Sequence, residues 1–418
     1  MAMLLTLLLL SYGVSNARCS TIPDNSTDML ALLDFKQAVT DPRGALSTWN
    51  SSIPHCQWEG VNCSRKHLWR VTVLSLVGLG LAGPISPSIG NLTFLETLNL
   101  SLNSLSGELP PLNRFHKLQQ LVLAKNSLQG IIPDTLTNCS NLNFLDLSEN
   151  SLIGEIPLGI GLLSNLSTLF LYENNLTGMI PPSLTNISGL SSLALGDNQL
   201  MSSIPDELWQ LPHLLYLALG GNKLSGGITA INRSSLRGLD LSNNMIGNTL
   251  PSDIGDMLPN IVFLFLCSNS FEGKIPASLG NISGLQELDL LFNNFTGQVP
   301  SSLGKHGMLT SLSLLGNNLV GNDSQSWQFI DTLSNCSFLQ SLILSQNQFQ
   351  GAIPNSISKL SPKLQQLAFG TNDLTGTVPT GIGNLTGLTE LEVRYNNLNG
   401  QIDGWVGNLK NLQGQIDG

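Results

Sequence analysis

A unit of about 24 residues recurs along this chain, and it constrains the fold more than any other feature of the sequence. The unit is marked by an asparagine that follows each Leu-x-Leu segment. Repeats this short cannot bury an apolar face alone, so they stack on their neighbours. The repeat therefore predicts a solenoid instead of the two or three compact domains expected for 418 residues. Thirteen asparagines keep this register: Asn103, Asn126, Asn150, Asn174, Asn198, Asn222, Asn244, Asn269, Asn293, Asn317, Asn347, Asn372 and Asn396.

Each position of the repeat has a physical cause, which the stretch LNFLDLSENSLIG from Leu142 to Gly154 illustrates. Leu145 and Leu147 are two residues apart, so on a strand both side chains point into the coil while their neighbours point outward. The chain then turns, and the amide of Asn150 can satisfy one buried backbone donor and one acceptor. Glycine permits the sharp turn that follows, and the next Ile-Pro step favours an extended segment.

These repeats occupy residues 71–412 as about 14 units, and they predict an α/β-type solenoid, a right-handed leucine-rich-repeat superhelix with a parallel sheet on its concave side. The preceding residues, 20–70, are expected to cap the apolar end of the first coil. A short amphipathic helix is predicted over residues 28–39. Three apolar residues at helical spacing are expected to face the coil: Leu30, Leu33 and Phe35.

Cysteine usage favours an oxidising compartment. Cys56 and Cys63 lie close together in a repeat-free region, which favours a disulfide over a metal site. Cys139 and Cys336 each stand in an Asn-Cys-Ser segment before a repeat, and they are predicted to be small buried core residues. Whether Cys19 remains in the mature chain depends on where a leader is cleaved.

The start of the chain resembles a leader for secretion. Residues 1–19 combine a short apolar run with small residues at Ser15 and Ala17, which predicts a signal peptide; the alternative is a buried first helix. No later apolar segment is long enough to predict a membrane span. The net charge of −10 and the pI near 4.9 argue against nucleic acid or anionic lipid as partners.

The sequence offers no arrangement of residues for catalysis, and no cofactor or metal ion is expected. The glycine spacing from Gly78 to Gly83 matches a nucleotide-binding loop, but Leu79 and Leu81 occupy repeat-core positions and no βαβ unit follows. The histidines lack metal-ligand spacing and are expected at the surface. These are His55, His67, His116, His213 and His306.

Three motifs carry a resemblance to a known family: LALLDFKQAVTDPRGALSTWN, then CQWEGVNC, then repeats with GEIP, GMIP, GKIP and GAIP turns. With them the chain resembles the extracellular part of plant leucine-rich-repeat receptor-like kinases, in the group of the elongation-factor-Tu receptor and the rice bacterial-blight resistance receptors. The resemblance implies a secreted region of plant-defence type that binds a peptide or microbial protein and recruits a co-receptor with a shorter repeat ectodomain.

The chain departs from that family after residue 412. Residues 413–418 do not continue the repeat, and neither a membrane helix nor a serine/threonine kinase follows, so we expect a truncated receptor and no enzyme activity. Two alternatives remain at this stage. One is a soluble apoplastic inhibitor of a cell-wall-degrading enzyme, although the C-terminal cysteine cap of such inhibitors is absent. The other is a non-functional gene fragment.

N-glycosylation is the modification that the sequence supports, through fifteen Asn-x-Ser/Thr sequons. Several are expected on the convex side, whereas Asn99 lies between two inward leucines on the inner strand, where a glycan would block the N-terminal end of the concave face. An Asn- and Ser-rich composition also produces sequons without use. The fifteen are Asn25, Asn50, Asn62, Asn91, Asn99, Asn138, Asn165, Asn175, Asn186, Asn232, Asn281, Asn294, Asn322, Asn335 and Asn384.

The outward positions of the concave strands do not contribute to the core of the repeats, so they form the predicted binding surface. Aromatic residues are typical interface anchors. Alternatively, they only pack on their neighbours. A second candidate is the charged group Glu287, Asp289, Glu390, Glu392 and Arg394 with Tyr395, which equally fits a solvated face. The inserted segment 322–331, with Trp327 and Phe329, either contacts ligand or covers a kink, and the family resemblance favours the structural role. Six aromatic residues form the predicted ligand site: Phe144, Phe170, Tyr172, Tyr216, Phe263 and Phe265.

Overall fold

The computed structural model describes residues 26–67, 69–228, 231, 235–401 and 404–413. In it the repeats stack into one solenoid whose leucines form a continuous core, which confirms the predicted fold. One sheet runs the length of the described chain and is parallel except at its first, antiparallel pair. Its strands, in sheet order, are Val61–Cys63, Val71–Ser75, Thr97–Asn99, Gln120–Val122, Phe144–Asp146, Thr168–Phe170, Ser192–Ala194, Tyr216–Ala218, Gly238–Asp240, Phe263–Phe265, Glu287–Asp289, Ser311–Ser313, Ser341–Ile343, Gln366–Ala368 and Glu390–Glu392. We call it the inner sheet.

A second set of short parallel strands follows each asparagine, and we call these the outer strands. They form three separate sheets among the described residues. The first contains Ala82–Pro84, Ser104–Glu108, Ser127–Ile131, Ser151–Glu155 and Asn175–Thr177; the second Met201–Ser203 and Lys223–Ser225; the third Gly247–Thr249, Ser270–Lys274, Asn294–Gly297, Asn318–Gly321, Gln348–Ala352, Asp373–Gly376 and Asn397–Leu398.

The remaining side of each coil consists mainly of single 3₁₀ turns. Most begin directly after the proline of the Ile-Pro step, whose extended backbone starts the turn, as at Pro157. Two short α-helices, Ile254–Met257 and Gln328–Leu333, replace a 3₁₀ turn. The 3₁₀ segments are His55–Gln57 in the cap and Pro87–Asn91, Asp134–Asn138, Leu158–Leu162, Pro182–Asn186, Asp206–Gln210, Ala277–Asn281, Ser301–Gly304, Asn355–Lys359, Thr380–Asn384 and Gly404–Asn408 in the repeats.

The asparagines form a ladder that joins successive repeats, as Asn198 shows. Its side-chain Nδ2 donates to the carbonyls of Leu195 and Gly196 in its own repeat and to that of Leu171 in the preceding one, at 3.0–3.1 Å. Its Oδ1 accepts the N–H of Leu176 at 2.9 Å. All thirteen asparagines repeat this pattern. It confirms the predicted bonds to one backbone donor and one backbone acceptor, and each amide has two further carbonyl acceptors.

The residue before each ladder asparagine adopts a left-handed backbone, a feature that the sequence did not predict. Examples are Glu149 with φ 51° and Thr371 with φ 53°, whereas glycine occupies the position only at Gly221 and Gly316. Such a backbone is unfavourable for residues with a Cβ atom. The neighbouring asparagine bonds evidently offset this cost, because the same conformation recurs in all thirteen repeats.

The N-terminal cap contains the predicted helix, which spans Thr27–Ala38 and begins after Ser26, whose side chain accepts the N–H of Met29. The prediction that Leu30 faces the coil is wrong, since it is 45% exposed; Leu32 is buried in its place. The true buried stripe is Met29, Leu32 and Phe35, whose spacing of three residues matches the helical turn.

A buried ion pair fixes this helix to the first repeat. The Asp28 carboxylate, 1% exposed, accepts hydrogen bonds from the Arg70 guanidinium at 3.1 Å and from the Val71 N–H at 2.8 Å. A buried carboxylate needs such partners because desolvation of an unpaired charge is costly. The cap is therefore held by a polar contact as well as by its apolar stripe.

Cys56 and Cys63 form a disulfide with a Cα–Cα separation of 5.5 Å. Cys139 and Cys336 are fully buried in the core, as predicted. Burial raises the pKa of the Cys139 thiol to about 11, so this group stays protonated at neutral pH.

The expectation that the histidines lie at the surface is wrong for His55. Its ring is fully buried beside the disulfide, and its Nε2 lies 2.9 Å from the Trp69 carbonyl oxygen. The ring also contacts Trp58 edge-on. His55 therefore serves the cap, and its burial follows from the local chain reversal at the disulfide, which no periodic pattern records. The other four histidines are exposed.

The inserted segment is structural, as predicted. Trp327 is 5% exposed and stacks on Phe329, with ring centroids 5.8 Å apart, and on Phe349 at 5.2 Å. Phe369 completes this aromatic group at 6.3 Å. Phe349 and Phe369 occupy positions that are leucines in other repeats, so the inserted segment packs onto the repeat core.

Some predictions fall outside the described residues. They are the signal peptide over 1–19, Cys19, the sequons at Asn25 and Asn232, and the last five residues, 414–418.

Candidate functional site

The inner sheet presents two columns of outward side chains, because the first and third residues of each three-residue strand point away from the buried central leucine. Strand pairing aligns these columns without a register shift through the parallel repeats, so that Phe144 stands beside Thr168 and Asp146 beside Phe170. The place of an outward side chain along its column is therefore set by the repeat that carries it. All six predicted aromatic site residues lie on or beside these columns.

Three of the six form one cluster. The rings of Phe144 and Phe170 meet edge-to-face with centroids 5.9 Å apart, and Phe170 meets Tyr172 at 6.3 Å. The Tyr172 hydroxyl donates to Glu149 Oε1 at 3.4 Å. All three rings remain partly exposed, so they can still contact another molecule.

Phe263 and Phe265 form a second cluster on a single strand, with ring centroids 6.4 Å apart. Tyr216 stands alone between the clusters, 47% exposed, with its ring over Gly238. The six residues therefore do not form one continuous patch. Five strand steps separate Phe144 from Phe263, which corresponds to about 24 Å along the sheet.

The surface between the aromatic clusters is lined by small residues. Ala194 and Ala218 occupy the third column position of successive strands, and Gly196 and Gly220 follow two residues later. Ala194 and Ala218 are partly exposed, whereas Gly196 and Gly220 are buried. Apart from Tyr216 and Asp240, the outward positions of the strands between the two aromatic clusters therefore carry small side chains.

The outward columns of the inner sheet are acidic. In the thirteen strands from Thr97–Asn99 to Glu390–Glu392 no lysine or arginine occupies an outward position, whereas six positions are carboxylates: Asp146, Asp240, Glu287, Asp289, Glu390 and Glu392. A face with one sign of charge favours partners of the opposite sign.

Burial makes one of these carboxylates unusual. It raises the pKa of Asp289 above its ordinary value, although the Leu291 N–H donates to Asp289 Oδ1 at 3.0 Å and opposes that shift. Burial also raises the pKa of the neighbouring Cys267 thiol to about 11, and the charge of Asp289 adds to that rise.

The second predicted candidate, near the C-terminal end, is largely satisfied within the chain. Arg394 Nε donates to Glu392 Oε1 at 2.8 Å, and the Ser345 hydroxyl donates to the other carboxylate oxygen of Glu392 at 2.9 Å. The Arg394 guanidinium also lies 5.6 Å from the ring of Tyr395, which is 74% exposed. These contacts favour a solvated face for Glu392, Arg394 and Tyr395, whereas Glu287 and Asp289 lie four strands away on the inner sheet.

Most described sequons lie away from the inner sheet. Asn175 and Asn294 begin outer strands, and Asn322 lies in the inserted segment. On the inner sheet the described sequons are Asn62 and Asn99, both among its first three strands, so the columns from Gln120 onward carry none. Asn335 follows the helix Gln328–Leu333 by two residues, and five further sequons end a 3₁₀ turn on the opposite side: Asn91, Asn138, Asn186, Asn281 and Asn384.

One group of side chains has ligand atoms close enough to hold a metal ion among the described residues. It consists of His55, Cys56 and Cys63, whose ligand atoms lie within 4.8 Å of one another. The two sulfur atoms are joined in the disulfide and are not thiolates, so the group does not offer a metal site. The predicted preference for a disulfide holds in this geometry.

The glycine motif between Gly78 and Gly83 serves the turn of its repeat. Gly78, Gly80 and Gly83 have φ of 69°, 75° and 97°, and Leu81 is fully buried in the core. Within the part of the chain that the structure describes, no helix is both long and apolar enough to cross a bilayer.

Family comparisons agree with this architecture. The leucine-rich-repeat N-terminal domain matches residues 25–64, and the family described as leucine-rich-repeat region matches residues 196–413, more than half of the chain. Further leucine-rich-repeat matches cover residues 162–224 and three segments between 94 and 163.

Similar proteins include plant receptor kinases, as the sequence motifs predicted. The LRR receptor-like serine/threonine-protein kinase EFR of Arabidopsis thaliana is 48% identical over 118 residues, 28% of this chain and 11% of that protein. The receptor kinase-like protein Xa21 of Oryza sativa subsp. japonica is 48% identical over 69 residues, 16% of this chain and 7% of that protein. The matches thus span about a tenth of these relatives.

A solved structure extends the likeness over most of the chain. The plant peptide hormone receptor RGFR1 in complex with RGF2 superposes with a TM-score of 0.76 at 35% identity, covering 82% of this chain and 54% of that one. The solenoid is therefore similar in fold to a plant peptide hormone receptor.

Proposed function

The chain belongs to the leucine-rich-repeat family, and from that membership we propose that it binds a peptide or protein ligand outside the cell on its inner sheet. The observation that carries this proposal is the inner face itself. Its outward aromatic residues contribute little to the core, since Phe170 and Tyr216 could be serine or alanine without loss of the repeat. The columns around them carry no sequon.

We also propose the setting in which this binding acts. The partial matches to plant receptor kinases support a role as the ligand-recognition region of such a receptor, facing the apoplast. The likeness to RGFR1 with its bound RGF2 supports a peptide as the ligand class. A co-receptor with a shorter repeat ectodomain completes the proposed complex. The chain itself binds and does not catalyse.

The dimensions of the inner face suit an extended ligand. Phe144 and Phe263, which belong to the two aromatic clusters, are about 24 Å apart, a distance that about seven extended residues span. The small residues between the clusters let a ligand backbone approach the sheet, while the aromatic rings provide anchors at both ends. We therefore assign Phe144, Phe170, Tyr172, Tyr216, Phe263 and Phe265 to the proposed ligand surface.

The proposal is tested by ligand capture with the secreted protein. Immobilised protein is screened against microbial extracts and synthetic plant peptides, and each captured ligand is measured by calorimetry. Replacing Phe170 or Tyr216 with alanine is expected to lower affinity about tenfold or more, the scale of an aromatic hot spot. Phe338→Ala is the matched control, because this exposed aromatic lies outside the inner sheet. Equal affinity for the wild type and both inner-face variants would contradict the proposed surface.

A further inference from the structure

Phe265 stands between two carboxylates on the inner sheet. In the third column it pairs with Asp240 on the preceding strand and with Asp289 on the following strand, each about 4.8 Å away along the sheet. Phe263, two residues earlier, pairs with Glu287. This acid–aromatic–acid order occurs once in the outward columns of the described inner strands.

The two carboxylates lie on the strands on either side of Phe265. Cys267, two residues further along the chain, is near both, and the charges of Asp289 and Asp240 disfavour its thiolate. The Leu291 N–H donates to Asp289 Oδ1 at 3.0 Å, while the Ser242 hydroxyl and N–H donate to Asp240 Oδ1 at 2.6 and 2.9 Å. The site thus combines a protonated thiol with two carboxylates that hydrogen bonds hold in place.

No cationic side chain of the described residues neutralises these two carboxylates. The ion pairs formed among the described residues are Arg70–Asp28, Lys125–Glu149 and Arg394–Glu392, and none includes Asp240 or Asp289. Other exposed aromatics have a cation of their own: Arg70 and Lys117 lie over Phe94, and Lys363 lies over Phe338. No such cation lies over Phe265 among the residues described.

A buried hydroxyl next to Asp289 adds an independent sign of an unfilled site. Ser313 pairs with Asp289 in the same column, and only 7% of the residue is exposed. Its Oγ has no hydrogen-bond partner of good geometry, yet it lies near enough to the Asp289 carboxyl to favour that group's charge. Buried hydroxyls are normally paired, and the Ser313 oxygen offers a free acceptor to a donor bound beside Asp289.

We propose that Asp240, Phe265 and Asp289 form a site for the guanidinium group of an arginine side chain carried by the ligand. The planar guanidinium stacks on an aromatic face and donates in the plane to carboxylates on either side, which an ammonium does less well. This inference rests on the proposed function and narrows it to ligands with an arginine. Lysine and arginine are absent from the outward columns, so the whole face attracts such a ligand.

The experiment uses a capped Gly-Arg-Gly peptide as the probe and the same peptide with citrulline as its uncharged isostere. Binding to the secreted protein is followed by NMR of the peptide at low salt. The arginine peptide is expected to bind at least tenfold more tightly than the citrulline peptide. Asp240→Asn, Asp289→Asn and Phe265→Leu are each expected to weaken it at least threefold, and added salt is expected to weaken it further.

Asp146→Asn is the matched control. Asp146 occupies the same column position as Asp240 and accepts the same two bonds from Ser148, at 3.0 and 2.6 Å. It also stands beside an aromatic ring, Phe170, but the next residue in the column is Ala194 and not a second carboxylate. It is expected to leave arginine binding unchanged. Equal binding of the two peptides, or equal losses from Asp146→Asn and Asp240→Asn, would overturn the site.

These outcomes are separate from those of the proposed function. A captured ligand that loses affinity in Phe170→Ala but not in Asp289→Asn supports inner-face binding and refutes the arginine site. Calcium binding to Asp240 and Asp289 without discrimination between the two peptides also refutes it. Circular dichroism of each variant checks that the solenoid is retained.

Discussion

Replacing Asn198 with alanine tests how the asparagine ladder stabilises the coil. The side chain is 4% exposed and makes four hydrogen bonds, so adding roughly 1 kcal/mol for each would give a loss of about 4 kcal/mol. The structure predicts a smaller loss of unfolding free energy, because each carbonyl that accepts from Asn198 also accepts from a second donor. Leu171 O keeps a bond from Asn174, and Leu195 O keeps one from Asn222.

The third carbonyl, Gly196 O, still accepts the Glu173 N–H at 3.0 Å. The Leu176 amide is then the group that loses its acceptor, and one buried unpaired amide costs about 1–3 kcal/mol. We expect Asn198→Ala to lower the free energy of unfolding by about 2 kcal/mol in urea denaturation. Hydrogen exchange is expected to accelerate at Leu176 and in the adjacent repeats.

Asn198→Asp separates the acceptor role from the donor role. The aspartate keeps an oxygen for the Leu176 N–H, but it places a second oxygen against three carbonyls. It is expected to destabilise more than alanine at pH 7 and to recover as the carboxylate is protonated in acid. Gln199→Ala, an exposed neighbour, is the control and should change stability by less than about 0.5 kcal/mol. A loss near 4 kcal/mol for Asn198→Ala, or no loss, would refute the shared-carbonyl reasoning.

Three further predictions concern charge, close packing and the inserted segment. Burial raises the pKa of Asp289 in the folded protein, so its contribution to stability is present below the ordinary pKa of 3.8 and is lost as pH rises through the folded-state pKa. Asp289→Asn should therefore stabilise the protein at pH 7 and not at pH 3, measured by thermal unfolding. Gly161→Ala would drive a Cβ into the Ser183 carbonyl and should cost about 1–3 kcal/mol in urea, whereas Gly189→Ala should be tolerated. Trp327→Ala should cost about 3–5 kcal/mol without changing the affinity of an inner-face ligand by calorimetry.

The two incorrect predictions from the sequence have one physical origin. Leu30 and His55 both lie in the cap, where no repeat gives a second copy of the pattern to fix the phase of a helix or the direction of a side chain. The cap residues instead respond to single contacts with the first coil, such as the Asp28–Arg70 pair across 42 residues of sequence. Contacts of that kind are not visible in local spacing.

The sequence by itself determined the coil, its inward leucines, the asparagine ladder and the family, because a strict period makes every position meet its own counterpart one repeat away. Only the tertiary structure decided how the outward side chains group. Phe144 and Phe170 meet diagonally across strands, Tyr216 stands apart, and Asp240 and Asp289 flank Phe265. These contacts depend on the direction of individual side chains across neighbouring strands, and the outward positions carry no periodic constraint from which that direction could be read.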